Sequence, residues 1–253
     1  MVEVPVKLYL DKVLKTAREA VRPTSLLSGP VRDNALRGMA AAIAEAEESI
    51  LAANEKDVDA VGKSMIGYEN RERVRDAVAR IRMTADDVKA LADRLHHIAD
   101  LPDPLGEVLG RHDEPNGLQV SRVRVPIGVI GIVSELSPLE TIDALALCLK
   151  SGNPVILRGG SESRESSAAI HACLLDGLRE AGLPAAAIQL VPTTDRDAVG
   201  HMLAKMGGLV DVVVPRGGKS LVQRVKDEAR VPVIGHLEGN CHVYVDRDAD
   251  LGM

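Results

Sequence analysis

The chain has 253 residues, 45% of them hydrophobic and 27% charged, with a formal net charge of -6. That length holds one large domain or two small ones with a real core, and an acidic balance without Phe or Trp excludes a basic, base-stacking nucleic-acid binder. Three widely spaced cysteines (Cys148, Cys173, Cys241) make neither a disulfide framework nor a CxxC metal pair. A cytoplasmic setting is expected, with no signal peptide and no apolar run of membrane-spanning length.

Residues 8 to about 98 are predicted to be helical. Leu8, Val13, Leu14, Ala17 and Val21 recur at helical spacing, and Pro30 sits just inside a helix start. Ala35 to Leu51 is rich in Ala and Glu with periodic Leu, Met and Ile, Asp59 to Glu69 reads as a loop, and Arg71–Ile81 and Thr84–Ile98 continue the helices. Thr84, with Asp87 three residues on, carries an N-cap signal. Leu101-Pro-Asp-Pro-Leu-Gly106 breaks the run. Glu114-Pro-Asn-Gly117 is a hairpin turn between Glu107–Arg111 and Leu118–Val125, an exposed ribbon whose unpaired edges fit an oligomer arm.

From Ile127 strands alternate with helices. Strands are expected at Ile127–Val133, Pro154–Leu157, Ile188–Val191, Leu209–Val214, Val231–Ile234 and His242–Val245. Helices are expected at Thr141–Leu149, Glu162–Glu180, Asp195–Met206 and Gly217–Ala229. This alternation predicts an α/β fold with a doubly wound parallel sheet.

Three segments carry candidate chemistry. Arg158-Gly159-Gly160-Ser161-Glu162 follows an apolar strand, at the carboxyl end where open parallel sheets bind ligands. It reads as a tight strand-to-helix turn or as a phosphate turn with Arg158 as a cationic fork; it is not a GxGxxG. Pro215-Arg216-Gly217-Gly218-Lys219 repeats the arrangement after another strand, where a helix N-terminus can face an anion. Two such turns on one sheet edge favour a phosphate-bearing dinucleotide. His236-Leu-Glu238-Gly-Asn-Cys241-His242 gathers polar groups, among which Glu238 is a candidate acid–base residue and Cys241 a weaker candidate nucleophile. Its spacing makes no metal site, and Cys148 and Cys173 on helix faces read as core.

With these segments together, the chain resembles the glutamate-5-semialdehyde dehydrogenase (gamma-glutamyl phosphate reductase) family of the aldehyde dehydrogenase superfamily. The carrying motifs are Ile50–Asn54, Leu101–Val108, Arg124–Gly131, Leu147–Asn153, Ile156–Glu162, Val214–Lys219 and Cys241–Asp246. The resemblance implies the Rossmann-like NAD(P)-binding domain of that superfamily. Residues 1–100 would be its helical part, 101–126 an oligomerisation hairpin joining a homo-oligomer, and 127–253 the cofactor core. It also implies NADPH-dependent reduction of gamma-glutamyl phosphate to glutamate 5-semialdehyde in proline biosynthesis, through a cysteine thiolate. Arg158 takes the place of a lysine near the adenosine ribose, and with Ser161 would hold the 2′-phosphate of NADPH. Glu162 falls in the same motif, Pro215 to Gly218 match the turn facing the nicotinamide, and Glu238 matches the acid before the catalytic domain.

By the same resemblance the nucleophilic cysteine is expected roughly thirty residues past Glu238, beyond Met253, so this chain alone is expected to be inactive. Ser137 and Leu139 stand where the family has Arg and an oxyanion-binding Asn. A non-catalytic nucleotide-binding or assembly protein derived from the enzyme is the alternative expectation.

Overall fold

The computed structural model describes residues 6–64, 71–135, 138–191, 196–237, 239 and 241–250. Its centre is a parallel sheet whose strands place apolar side chains on both faces. The strands are β3 (Ile130–Ser134), β4 (Val155–Arg158), β5 (Ile188–Leu190) and β6 (Val212–Arg216), in the order β5-β4-β3-β6. All the pairings are parallel, with Ile130 opposite both Val155 and Val212. The chain steps outward from β3 to β4 to β5, then returns to the other side of β3 with β6. The switch point therefore lies between β3 and β6.

Alternation assigns the two faces. Ile130, Ile132, Val155, Leu157 and Ile188 pack beneath α3 (Gly29–Glu45), α6 (Ala85–Asp100), α7 (Pro138–Lys150) and α8 (Arg164–Glu180). Val129, Val133, Ile156 and Val213 pack on the opposite face against α1 (Val6–Glu19), α9 (Arg196–Lys205) and α10 (Lys219–Glu228). A sheet buried on both faces needs continuous apolar strands, which is how these read. Helix α1 is tied to chain nearly two hundred residues away by Arg18–Asp211 at 2.6 Å and His201–Asp11 at 3.0 Å.

Other helices are α2 (Val21–Ser25), α4 (Glu47–Ser64) and α5 (Arg71–Ile81). Helix α6 opens on the expected Thr84–Asp87 pair, a full capping box in which Asp87 N–H donates to Thr84 Oγ1 and Thr84 N–H to Asp87 Oδ2. The run expected from Ala35 to Leu51 is divided at Ala46 into α3 and α4. The expected loop from Asp59 is helix as far as Ser64, because buried Val58 and Val61 hold the last turns of α4 despite Gly62. Residues 65–69 of that loop lie outside the described residues.

The ribbon forms as β1 (Val108–Asp113) and β2 (Gln119–Val123), antiparallel, closed by Glu114 N–H to Leu118 O at 2.8 Å and by Gly117 in the left-handed region. Both of its faces are largely exposed, including Val108, Leu109, Leu118 and Val123.

Two expected strands are corrected. Val231–Ile234 contributes only a single parallel bridge, Val213 to Val233, with Val213 N–H to Pro232 O and Ile234 N–H to Val213 O both at 2.9 Å. His242–Val245 is not a strand: Val243 is 88% and Tyr244 85% exposed, and the segment has no ladder partner among the described residues. Residue alternation permits a strand, but a neighbouring edge is needed to make one. The expected strand from Ile127 begins at Ile130, since Pro126 and Gly128 (φ +123°) turn the chain first.

Candidate functional site

The sequence Leu147–Glu162 spans both ends of the sheet, and its two ends serve different purposes. At the amino edge, Gly152 (φ +72°) makes the turn out of α7. A Cβ there would also press on Leu105 and Pro126 at about 3 Å. Asn153 Oδ1 then accepts from the backbone N–H of Ile127 (2.7 Å) and Gly128 (2.9 Å). Ser151-Gly-Asn153 is thus a structural latch.

At the carboxyl edge three strand ends meet. Strand β3 ends at Ser134, buried, with Glu135 next. Glu135 N–H donates to Arg216 O at 2.8 Å, which carries the β3–β6 ladder one step past the sheet. A Cβ on Gly160 would lie 3.7 Å from Glu135 O, and a Cβ on Gly217 would lie 2.8 Å from Glu135 Oε2 and 2.9 Å from Leu221. The two glycine turns therefore flank Glu135, one on each side of the switch point. A side chain at Gly217 would displace the ends of Glu135 and Leu221 from where they sit.

Arg158 ends β4 and is buried, at 8% exposed. Gly159 and Gly160 are half-buried, and Ser161 and Glu162 are exposed on a short 3-10 turn, Ser161–Ser163, ahead of α8. Pro215 is buried against Gly235, Arg216 is exposed, Gly217 is half-buried, and Gly218 is the N-cap of α10 with no side chain capping it. Glu238 and Ser137 lie outside the described residues. His236, Cys241 and His242 are exposed, and among the described residues no three His, Cys, Asp or Glu groups gather as a metal cluster.

A small cleft opens beside Gly159, between α7 and α8, walled by Ile142, Leu145, Leu157, Ile170 and Leu174. His171 stands on its wall, with Nε2 3.1 Å from Ile188 O. A carbonyl only accepts, so Nε2 carries the proton. Burial pushes the His171 pKa down, and that hydrogen bond pulls it partly back.

The thiols differ sharply. Cys148 is buried and its pKa is pushed up to about 12 by desolvation. Cys173 is raised too, by burial first and by Asp176 second, while Cys241 is exposed. A thiol held in apolar surroundings is a poor nucleophile, so Cys148 and Cys173 are core residues as expected. Leu139 is half-buried against the core and its carbonyl accepts from Arg94 at 3.1 Å; the position is built into packing.

Two residues escaped the sequence reading of the site. Glu135 was legible as the first charged group after a buried strand, but its place between two glycine turns depends on the strand order. Asp57 lies on α4, far from either turn in the chain, and caps the helix that follows β4. No local pattern announces it.

Known proteins share this architecture. The family model for the aldehyde dehydrogenase family matches residues 7–253. A gamma-glutamyl phosphate reductase of Mesorhizobium japonicum is 53% identical over 239 residues, covering 94% of this chain and 54% of that protein. The crystal structure of the Thermotoga maritima gamma-glutamyl phosphate reductase superposes with a TM-score of 0.86 at 33% identity, over 96% of this chain and 57% of that one. The Saccharomyces cerevisiae enzyme of the same name gives 0.78 at 30% identity, over 96% and 59%. This chain spans about half the length of the curated relatives it matches. From the family match, the parallel sheet order and the superposition, the chain belongs to the aldehyde dehydrogenase family.

Proposed function

We propose that this chain supplies the cofactor-binding part of an NADP-dependent gamma-glutamyl phosphate reductase. The overall reaction is NADPH, a proton and gamma-glutamyl phosphate going to NADP, phosphate and glutamate 5-semialdehyde, a step of proline biosynthesis. When bound, NADPH supplies the hydride. The observation that carries the reading is the meeting of two arginine–glycine turns on either side of the β3–β6 switch point, where parallel sheets take dinucleotides. The similarity to the named reductases supports the choice of substrate.

In this reading Arg158 and Ser161 hold the ribose 2′-phosphate, with Gly159, Gly160 and Glu162 shaping that turn. Pro215, Arg216, Gly217 and Gly218 line the nicotinamide side. The residues fit the group: both turns present glycines where backbone must approach closely, and the strand ends bring cationic side chains to the same edge. Glu238 is the proposed acid–base residue. Buried as thiols, Cys148 and Cys173 do not serve as nucleophile. The β1–β2 ribbon, exposed on both faces with Val108, Leu109 and Val123 at its surface, is proposed to pair with another copy, since a lone two-stranded hairpin is marginal in water.

Leu139 favours a second reading, a nucleotide-binding relative without catalysis, because its apolar side chain offers no oxyanion donor. Reduction of gamma-glutamyl phosphate by any form of the protein containing this chain would eliminate it.

The test is Arg158→Ala titrated with each cofactor by calorimetry. Loss of a charge-assisted phosphate contact should weaken NADPH by roughly 10- to 100-fold. NADH, lacking the 2′-phosphate, should change by less than about threefold. Equal losses for both would refute the assignment of Arg158.

A further inference from the structure

Helix α8 lacks the cap its own sequence offers. Ser163 stands at the N-cap, the position where serine ordinarily accepts from the second or third N–H of a helix, yet its side chain makes no such bond. It is buried instead. The capping is done from another helix. Asp57 of α4, 4% exposed, accepts from Glu165 N–H at Oδ1 (3.0 Å), and from Ser166 N–H (2.8 Å) and the Ser166 hydroxyl (2.6 Å) at Oδ2. One turn earlier on α4, buried Asn54 donates to the Ser166 hydroxyl oxygen (3.0 Å) and to Ile81 O (2.8 Å), and accepts from Met83 N–H (2.8 Å). The buried carboxylate is met by the positive end of a helix and by three donors, a charge-assisted arrangement. The Ile50–Asn54 motif, with Asp57 three residues on, therefore locks the start of α8 to the α5–α6 junction.

The lock lies just beyond the Arg158–Glu162 turn. That turn contains two adjacent glycines, the residues with the most backbone freedom to lose. One end is fixed by the β4 ladder. The other end is the first turn of α8, with no side-chain cap of its own, so Asp57 fixes it. We propose that Asp57, braced by Asn54 and Ser166, is a positioning residue for the cofactor turn: it holds Arg158–Ser161 in the conformation that receives the 2′-phosphate. This rests on the assignment of that turn to the cofactor.

The probes are adenosine 2′,5′-bisphosphate and AMP, titrated calorimetrically into the whole chain and its variants well below their melting temperatures, with circular dichroism to verify folding. In Asp57→Asn the capped turn frays and the competent fraction of the site falls. Apparent affinity falls in proportion, so the bisphosphate should weaken by about tenfold and AMP by less than about threefold. Ser166→Ala keeps both backbone bonds and should show the same selective loss at about two- to threefold. It serves where Asp57→Asn fails to fold.

A purely structural role predicts a lower melting temperature with the bisphosphate-to-AMP preference unchanged, and that result would overturn the proposal. Arg158→Ala separates the two levels of inference. If it weakens the bisphosphate while neither Asp57→Asn nor Ser166→Ala does, only the positioning role falls. If Arg158→Ala also leaves the bisphosphate unaffected, the cofactor assignment falls and the positioning role with it.

Discussion

Gly177 is where helices α3 and α8 cross, and it makes a sharp test of the packing beneath the sheet. A Cβ at Gly177 would lie 2.5 Å from Met39 N, 2.6 Å from Met39 Cγ and 2.8 Å from Met39 Cα. Heavy atoms in contact settle at about 3.5–4.0 Å, so the added methyl overlaps the facing helix by roughly 1 Å. Two of the three atoms are backbone, and Met39 is fully buried, so no side-chain rotation relieves the overlap. Opposing this, alanine is favoured over glycine inside a helix by about 1 kcal/mol. Overpacking a filled core costs about 1–3 kcal/mol, and the rigid partner puts this site at the upper end. The net expectation for Gly177→Ala is about 1–2 kcal/mol of destabilisation, a melting temperature lower by about 2–8 °C for a domain of this size.

Gly62→Ala is the matched control. Gly62 lies inside α4 with nothing within 4 Å of a built Cβ. The helix preference then acts alone, and the variant should gain about 0.4–1 kcal/mol. Thermal and urea denaturation of both variants against the parent decide the matter. If Gly177→Ala were neutral or stabilising while Gly62→Ala behaved as expected, the close α3–α8 crossing would be refuted.

Two further outcomes follow from titratable groups. The folded-state pKa of His171 is lowered, so its contribution to stability is complete above the ordinary histidine value of about 6.5 and is lost as pH falls from there through the depressed value. The melting temperature of the parent should therefore fall more steeply below pH 6.5 than that of His171→Gln, and parallel curves would contradict the burial of the ring. The thiols should separate by reagent: Cys241 reacts at once with a disulfide reagent in the native protein, while Cys148 and Cys173 wait for denaturant. Fast native labelling of Cys148 would overturn its assignment as core.

Much of the fold was legible because its signals are local. Short apolar runs with turn residues at their ends located β3 to β6 to within a few residues, and Thr84 with Asp87 marked the start of α6 in advance. The site was legible to the extent that two strands ended in the same arginine–glycine pattern. What could not be read depends on contacts distant in the chain. Gly177 looks like any helical glycine until Met39 is set against it, and Asp57 looks like a solvated helix residue until α8 is brought onto it. His242–Val245 failed for the converse reason, a strand pattern with no edge to pair with among the described residues.

The cap in α8 also accounts for the missing GxGxxG. That fingerprint works by feeding a glycine turn from a strand directly into a helix whose first N–H groups stay open to receive a pyrophosphate. Here the helix after β4 has two of those groups bonded to Asp57, a carboxylate that already occupies the place of an anion. A second anion beside it would meet like charge at short range, so the α8 N-terminus has no such role to play. In the proposed reading, recognition at the β4 turn then comes from side chains, those of Arg158 and Ser161. Helix α10 differs: its N-cap is Gly218, which has no side chain to cap the first turn. In the proposed reading, then, the two turns act by different means. The Arg158 turn selects by side-chain charge. The Gly217–Gly218 turn selects by close backbone approach, with Glu135 set between them.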